Sequence, residues 1–345
     1  MNEYLKWLAQ TTKSAWWNDS ADSLELAAAL DHGAVGVTTN PVLVCKTLYD
    51  TPEYWNPLLE GMDSHLSGDA KTEELIRRVT VSVAARLAPH VVEGGREGFV
   101  CAQVHPMYAA DREAMLAMAR RLHAWAPNIA VKLPVTAAGL DVLEECVAEG
   151  ITVTATVSFT LPQVLAVGDR YEKGLARIRR AGGREGKCFA VVMVGRIDDY
   201  IRDVVHDGKV PGVRESDIIQ VGSAIMKRAI ALFAERKYEA ILMPAGMRGA
   251  YHVTDLAGAD VTMSIHPKIQ ALLTKEEMPY QTHHLEAVDS QAIARLMTVG
   301  EFVRAYEPDG MPPEAFITYG VVQKTLAQFT EHWNRIGAFP LSAVH

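Results

Sequence analysis

Short runs of apolar and β-branched residues recur along the chain, and nearly every one leads into a stretch whose apolar positions repeat at helical spacing. The runs predict strands at 15–19, 35–40, 99–104, 130–133, 152–157, 189–194, 240–243 and 260–263, eight in all. The intervening stretches predict helices at 24–33, 69–92, 111–125, 137–149, 161–180, 216–236, 249–256 and 267–273, the sixth reached only after a loop. The first opens after Ser23 and closes on Gly33, a C-cap residue, and the second carries Leu75, Val79, Val83 and Leu87 on one face. Strict alternation of strand and helix implies parallel strands with the helices outside. Eight such units close most simply into a (β/α)8 TIM barrel of the α/β class. An open doubly wound sheet is the alternative, but no GxGxxG or Walker loop marks a nucleotide site on one.

The alternation stops near residue 275. Helices are predicted at 290–306 and 320–336 on either side of a proline-bearing loop at 308–313. The expected organisation is a catalytic barrel over 1–275 and a C-terminal helical extension over 276–345 packed on it. That extension either covers the barrel or meets another subunit, and a homo-oligomer would follow from the second role.

Composition narrows the picture further. With 345 residues and 49% hydrophobic side chains, the chain has enough for one large core. A net charge of -8 with no long run of one sign argues against a nucleic-acid partner but leaves anionic small substrates open. Cys45, Cys101, Cys146 and Cys188 show no CxxC spacing and read as buried free thiols. The N-terminal segment lacks the basic and apolar parts of a signal peptide. No apolar stretch reaches the roughly 18–20 residues of a membrane span. A cytoplasmic protein without a membrane partner is expected. The histidines show no HxH or HExxH pattern, so neither a metal nor another cofactor is expected.

Barrel chemistry gathers at the C-terminal ends of the strands, where polar residues interrupt these runs. They are Asp19, Asn40, Gln103, Lys132, Thr154 and Thr156, with Arg196 and Arg248 just beyond the sixth and seventh runs. Lys132 is the only lysine inside a predicted strand. Burial disfavours a lysine's ammonium form and frees its lone pair to attack a carbonyl carbon; the competing reading is a side chain that reaches the rim and pairs with an acid. Asp19 suits proton transfer, but Asp19 or Ser20 also suits a helix N-cap. Thr156 and Gln103 suit either a bound water or simple layer packing, and Asn40 before Pro41 suits turn chemistry. The arginines suit either a phosphate or surface ion pairs.

Several segments together resemble the transaldolase family, including its smaller relative fructose 6-phosphate aldolase. They are GVTTNPVL at 36–43, AVKLPVTAAGL at 130–140, TVTATVSFTLPQ at 152–163, VGRIDD at 194–199 and MRGAYHVTDLAGADVTMSIHP at 247–267. The resemblance implies a Schiff-base lysine at Lys132, an acid–base carboxylate at Asp19, and a threonine at Thr156 that positions the catalytic water. It further implies that Asn40 holds substrate hydroxyls and that Arg196 and Arg248 bind the substrate phosphate. Gln103 takes the place of the transaldolase glutamate and matches the aldolase branch. Thr154, in the substrate-binding set, takes the place of asparagine. Met193 stands for an aromatic residue, Val191 for serine or alanine, and Gly246 for a serine that assists the second arginine.

The implied activity is transfer of a dihydroxyacetone unit from a ketose, phosphorylated or not, to an aldose. A lyase that releases free dihydroxyacetone and a noncatalytic sugar-binding barrel are the alternatives.

Overall fold

The computed structural model describes residues 3–275 and 278–341. Both ends of the expected extension, Glu276 and His345, lie outside those residues. The strands are β1 (Ala15–Asn18), β2 (Gly36–Val37), β3 (Phe99–Gln103), β4 (Ile129–Pro134), β5 (Val153–Thr156), β6 (Cys188–Met193), β7 (Ile241–Ala245) and β8 (Thr262–Ile265). They form one parallel sheet in the order β7-β6-β5-β4-β3-β2-β1-β8, and β7 packs against β8 so that the barrel is nearly closed. Every residue of β4, β5 and β6 is buried, as expected of parallel strands covered by side chains within and helices without. The expected eight-unit α/β barrel is therefore the observed fold, with further helices after it.

The differences from expectation have local causes. Strand β2 stops after two residues: the Thr38 amide still donates to the Asn18 carbonyl of β1 at 3.0 Å, but Thr39 and Asn40 turn to other partners. The Thr39 hydroxyl donates to the Cys101 carbonyl at 2.7 Å, and Asn40 caps the next helix. That helix, Pro41–Asp50, was not anticipated; nor were Pro52–Leu59 and the N-terminal Glu3–Thr11. The loop expected after β6 is instead the helix Val194–Asp207, whose Val194, Ile197 and Ile201 repeat at helical spacing on its buried side. The single helix expected over 290–306 is two, Ser290–Leu296 and Gly300–Tyr306, because the chain turns extended at Val299. The first barrel helix, Ser23–Asp31, is capped by Asp22, which accepts from the Leu24 and Glu25 amides, so neither Asp19 nor Ser20 fills that role. Gly33 follows this helix with φ +92°, a conformation that favours glycine.

The last helix, Gly320–Gly337, lies against Pro41–Asp50 and Gly68–Leu87. Its anchor is Trp333, 1% exposed, whose indole Nε1 donates to Asp69 Oδ1 at 2.9 Å and whose ring lies 4.3 Å from that of His105. Burial holds the His105 imidazole below its ordinary range. Tyr49 donates to the Arg335 carbonyl and Lys71 to that of Phe339, so the helix end is tied by backbone acceptors as well. No helix among the described residues is long and apolar enough to cross a membrane.

Because Trp333 is a large side chain buried to 1% exposure, Trp333→Ala should lower the unfolding free energy by about 3–5 kcal/mol. A urea midpoint shift measures it. A change below about 1 kcal/mol would show that the last helix is not part of the barrel's cooperative unit.

Candidate active site

A cavity of about 580 Å³ opens at the C-terminal ends of the strands. Asp19, Asn40, Lys132, Thr156, Arg196 and Arg248 line it, together with Thr38, Lys46, Ser264, His266 and Lys268. Gln103 and Thr154 are buried but lie outside this lining. Register brings them beside the lysine all the same: Gln103 pairs with Lys132 across β3 and β4, and Lys132 with Thr154 across β4 and β5. A second hollow, of about 670 Å³, lies among Arg96, Lys187, Tyr238 and Asp260. These residues precede or begin their strands, the end of a barrel where conservation of shape serves stability rather than chemistry.

Lys132 is 6% exposed, and its ammonium or amine donates to the Thr39 carbonyl at 3.1 Å. No carboxylate among the described residues pairs with it. The early end of β2 is what supplies this acceptor, since Thr39 has already turned out of the ladder. Asp19 lies immediately after β1. Its Oδ1 accepts from the Thr38 hydroxyl at 2.6 Å, and Thr38 Oγ1 lies 2.7 Å from Ser264 Oγ. A threonine hydroxyl carries one proton. With that proton given to Asp19, Ser264 must be the donor to Thr38, and the chain of hydroxyls ends on the carboxylate. Neither Thr38 nor Ser264 was among the expected site residues. Both are polar residues at strand ends, and Ser264 was overlooked because β8 runs two residues later than expected.

Asn40 caps the helix Pro41–Asp50 through Oδ1, which accepts from the Leu43 amide at 3.1 Å. Its turn role and its place in the cavity lining coexist, because the cap uses the oxygen and leaves the amide nitrogen. Thr156 Oγ1 and Gln103 Oε1 are buried without a hydrogen-bond partner among the described residues. Directly after Thr156 the chain passes through Val157 at φ +53°, an unusual conformation for a β-branched residue. Gln163 holds it there. Its Nε2 donates to the Val135 and Val157 carbonyls, and its Oε1 accepts from the Phe159 amide and the Thr160 hydroxyl.

Arg196 belongs to the first turn of Val194–Asp207, and Arg248 follows β7. Their elements approach closely because Gly195 has no side chain: a Cβ there would meet the Gly246 carbonyl at 2.4 Å. Arg248 Nε donates to Asp199 at 2.7 Å, whereas Arg196 donates to the neutral Gln328 at 2.8 Å. Burial, and secondarily the charge of Arg248, pulls the Arg196 guanidinium below its ordinary range. The Arg248 backbone amide donates to His252 Nδ1 at 3.2 Å. His252 Nε2 lies 3.0 Å from Asp198 Oδ2, an ion-pair separation although the two are not aligned as a hydrogen bond. The cavity lining carries five basic side chains (Lys46, Lys132, Arg196, Arg248, Lys268) against one carboxylate, Asp19, which suits an anionic ligand. Among the described residues no group of three or more His, Cys, Asp or Glu side chains could hold a metal ion.

A family model described as Transaldolase/Fructose-6-phosphate aldolase matches residues 16–338. Among curated proteins, the chain is 32% identical over 202 residues to a transaldolase of Neisseria gonorrhoeae (strain ATCC 700825 / FA 1090), covering 56% of this chain and 57% of that protein. It is 35% identical over 214 residues to Transaldolase 1 of Streptomyces avermitilis, covering 58% and 55% respectively. A transaldolase of Saccharopolyspora erythraea is 28% identical over 262 residues, 71% of this chain and 69% of that one. The chain thus spans 57% of the length of the first of these relatives.

Gln163→Leu removes the partners of two buried carbonyls and an amide at once and releases the constraint on Val157. It should cost about 3 kcal/mol or more in urea unfolding. A loss under about 1 kcal/mol would mean that the turn after Thr156 is held by something else.

Proposed function

The chain belongs to the transaldolase/fructose-6-phosphate aldolase family, and on that premise we propose that it transfers a dihydroxyacetone unit from a phosphorylated ketose to an aldose through a Schiff base on Lys132. The observation that carries this reading is the lysine's setting: a buried amine beside a 580 Å³ cavity, bonded to a backbone carbonyl rather than to an acid.

In the proposed cycle the neutral Lys132 amine attacks the ketone carbon C2. The carbinolamine loses water and becomes an iminium, with the hydroxyl of Thr156 and the amide of Gln103 holding the water that moves the protons. Asp19 then takes the proton of the C4 hydroxyl. The C3–C4 bond breaks, its electron pair moves into the iminium to give an enamine, and an aldehyde leaves. An aldose carbonyl captures the enamine by the reverse steps, and hydrolysis frees Lys132. Asn40 would hold substrate hydroxyls through its free amide nitrogen, and Thr154 would shape the base of the site. Arg196 and Arg248 would hold the phosphate and so fix C2 near the amine, which converts an encounter into an intramolecular step. The barrel over 1–275 would be the catalytic unit and 276–345 its helical extension. The setting we infer is cytoplasmic carbohydrate metabolism with small-molecule partners.

A second reading, protonation of the enamine to release free dihydroxyacetone, is favoured by Gln103. An amide cannot take up or deliver a proton as the glutamate that transaldolases carry at this position can.

Two measurements test these readings. Borohydride added with a ketose phosphate should leave a reduced adduct on the peptide that contains Lys132, and Lys132→Met should lose turnover by about a thousandfold or more while staying folded. No adduct at Lys132, or an active methionine variant, would favour a barrel that binds sugars without turnover. Steady release of dihydroxyacetone from a ketose phosphate without an acceptor would replace the transferase by the lyase.

A further inference from the structure

The cavity at the strand ends has two unlike halves. β8, β1 and the residues after β2 bring Ser264, Asp19, Thr38 and Asn40 to it, each a hydrogen-bonding side chain. β6 and β7 bring Val191, Met193, Met243 and Ala245, none of which carries a donor or a strong acceptor. Register makes these four a wall of two rungs, with Val191 paired to Met243 and Met193 to Ala245. Backbone hydrogen bonds of a ladder run between strands, within the sheet, and so do not serve the cavity in place of side chains. The next polar side chains on these elements are Arg196 and Arg248, beyond the strand ends.

This wall adjoins the reacting centre. β4, which carries Lys132, pairs with β5, and β5 with β6. Thr154 pairs with Phe189, and the same register carried two residues further sets Thr156 beside Val191. In the cycle given above the dihydroxyacetone unit stays on Lys132 while Asp19 serves the C4 oxygen. The carbons beyond C4 then head for the rim over the ends of β6 and β7, the strands that the two arginines follow. A hydroxyl laid on that wall gives up its water and meets no partner, whereas a methylene gains by the same contact. The flexible thioethers of Met193 and Met243 adapt to alkyl groups of different shape.

We propose that the β6–β7 wall selects the aldehyde by its lack of hydroxyls: the preferred acceptor carries hydrocarbon, not hydroxylated carbon, next to its carbonyl. This rests on the lysine reading given above and names the substrate class for it. With propanal as acceptor, the enamine carbon attacks the propanal carbonyl carbon and the new C3–C4 bond forms. The carbonyl electron pair passes to its oxygen, which takes back the proton held by Asp19. Hydrolysis of the iminium frees Lys132 and a six-carbon ketose that lacks hydroxyls at C5 and C6.

Initial rates with one ketose phosphate as donor and either propanal or D-glyceraldehyde as acceptor test the wall. The two aldehydes share a three-carbon chain, and neither carries an anionic group. kcat/KM should favour propanal by about tenfold, the lower end of what an apolar pocket exacts for an added hydroxyl. Val191→Thr keeps the side chain's shape and adds a hydroxyl, so it should lower the propanal-to-glyceraldehyde ratio about tenfold. Met193→Gln carries the same expectation if the threonine variant does not fold. Val191→Ala adds room without a hydroxyl and should leave the ratio within about threefold. A wild-type ratio below about threefold, a ratio unmoved in the hydrogen-bonding variant, or a fall in the alanine variant as large as in threonine would each overturn the proposal. Borohydride trapping at Lys132 with the ketose phosphate is read separately. A chain that traps substrate but does not discriminate between the aldehydes sinks this inference alone, and one that traps nothing sinks the lysine reading and this inference with it.

Discussion

An amine can be kept inside an apolar barrel without a permanent anion only if something neutral accepts its hydrogen bond. Here the acceptor is the Thr39 carbonyl, and much of the site follows from that contact. A carboxylate in its place would favour the ammonium form and work against the nucleophilic role proposed for this side chain. The neighbouring groups respect the same constraint. Cys101, fully buried and near Lys132, has its thiol pushed up by desolvation more than the lysine's charge pulls it down. It is a neutral neighbour, not a competing thiolate. Thr154 touches that sulfur at 3.5 Å and Gln103 leaves an oxygen unpartnered, so these three neighbours in β3 and β5 are polar but uncharged.

Asp19, the one carboxylate of the cavity lining, is held by different means. Asp19 is tied to Thr38 and through it to Ser264, so its position is set by β1, the end of β2 and β8 rather than by the lysine. The early end of β2 is the common cause: after the Thr38 amide makes the last bond to β1, residues 38–40 turn a hydroxyl to Asp19, a carbonyl to Lys132 and a cap to the following helix. A longer β2 would have committed those backbone groups to its neighbours.

The barrel was legible in the sequence because strand runs and helix spacing are local signals, and parallel strands buried on both faces give dense β-branched runs. Six of the eight candidate side chains line one cavity for the same reason, since polar residues at strand ends stand out against such runs. What was not legible came from tertiary context. Residues 195–207 fell in the loop expected between the sixth strand and its helix, yet Ile197 and Asp198 are both buried in a helix. Asp198 is accommodated by the Gly222 amide, which donates at 2.8 Å, and by His252, partners far away in sequence. Asp19 looked equally like a helix cap until Asp22 was seen to take that place. The last helix gave its periodicity but not its target: that Gln328 reaches Arg196 across 132 residues is a fact of packing alone.

The two arginines show how the fold uses a cost. Side by side they repel, and the burial of Arg196 makes its charge harder still to keep. The chain does not relieve this by moving them apart. Gly195 has no side chain because any Cβ would strike the Gly246 carbonyl, so the close approach is fixed in the backbone. A doubly charged phosphate between them would remove the repulsion, and the favourable energy would appear only with a ligand long enough to reach from there to Lys132. Under the proposed function, binding at the far end would then oppose the entropy of positioning C2 at the amine, and an unphosphorylated ketose would forgo that help. On the proposed reading the pair serves orientation more than tight binding, because its stored repulsion would discriminate by the charge and reach of what enters.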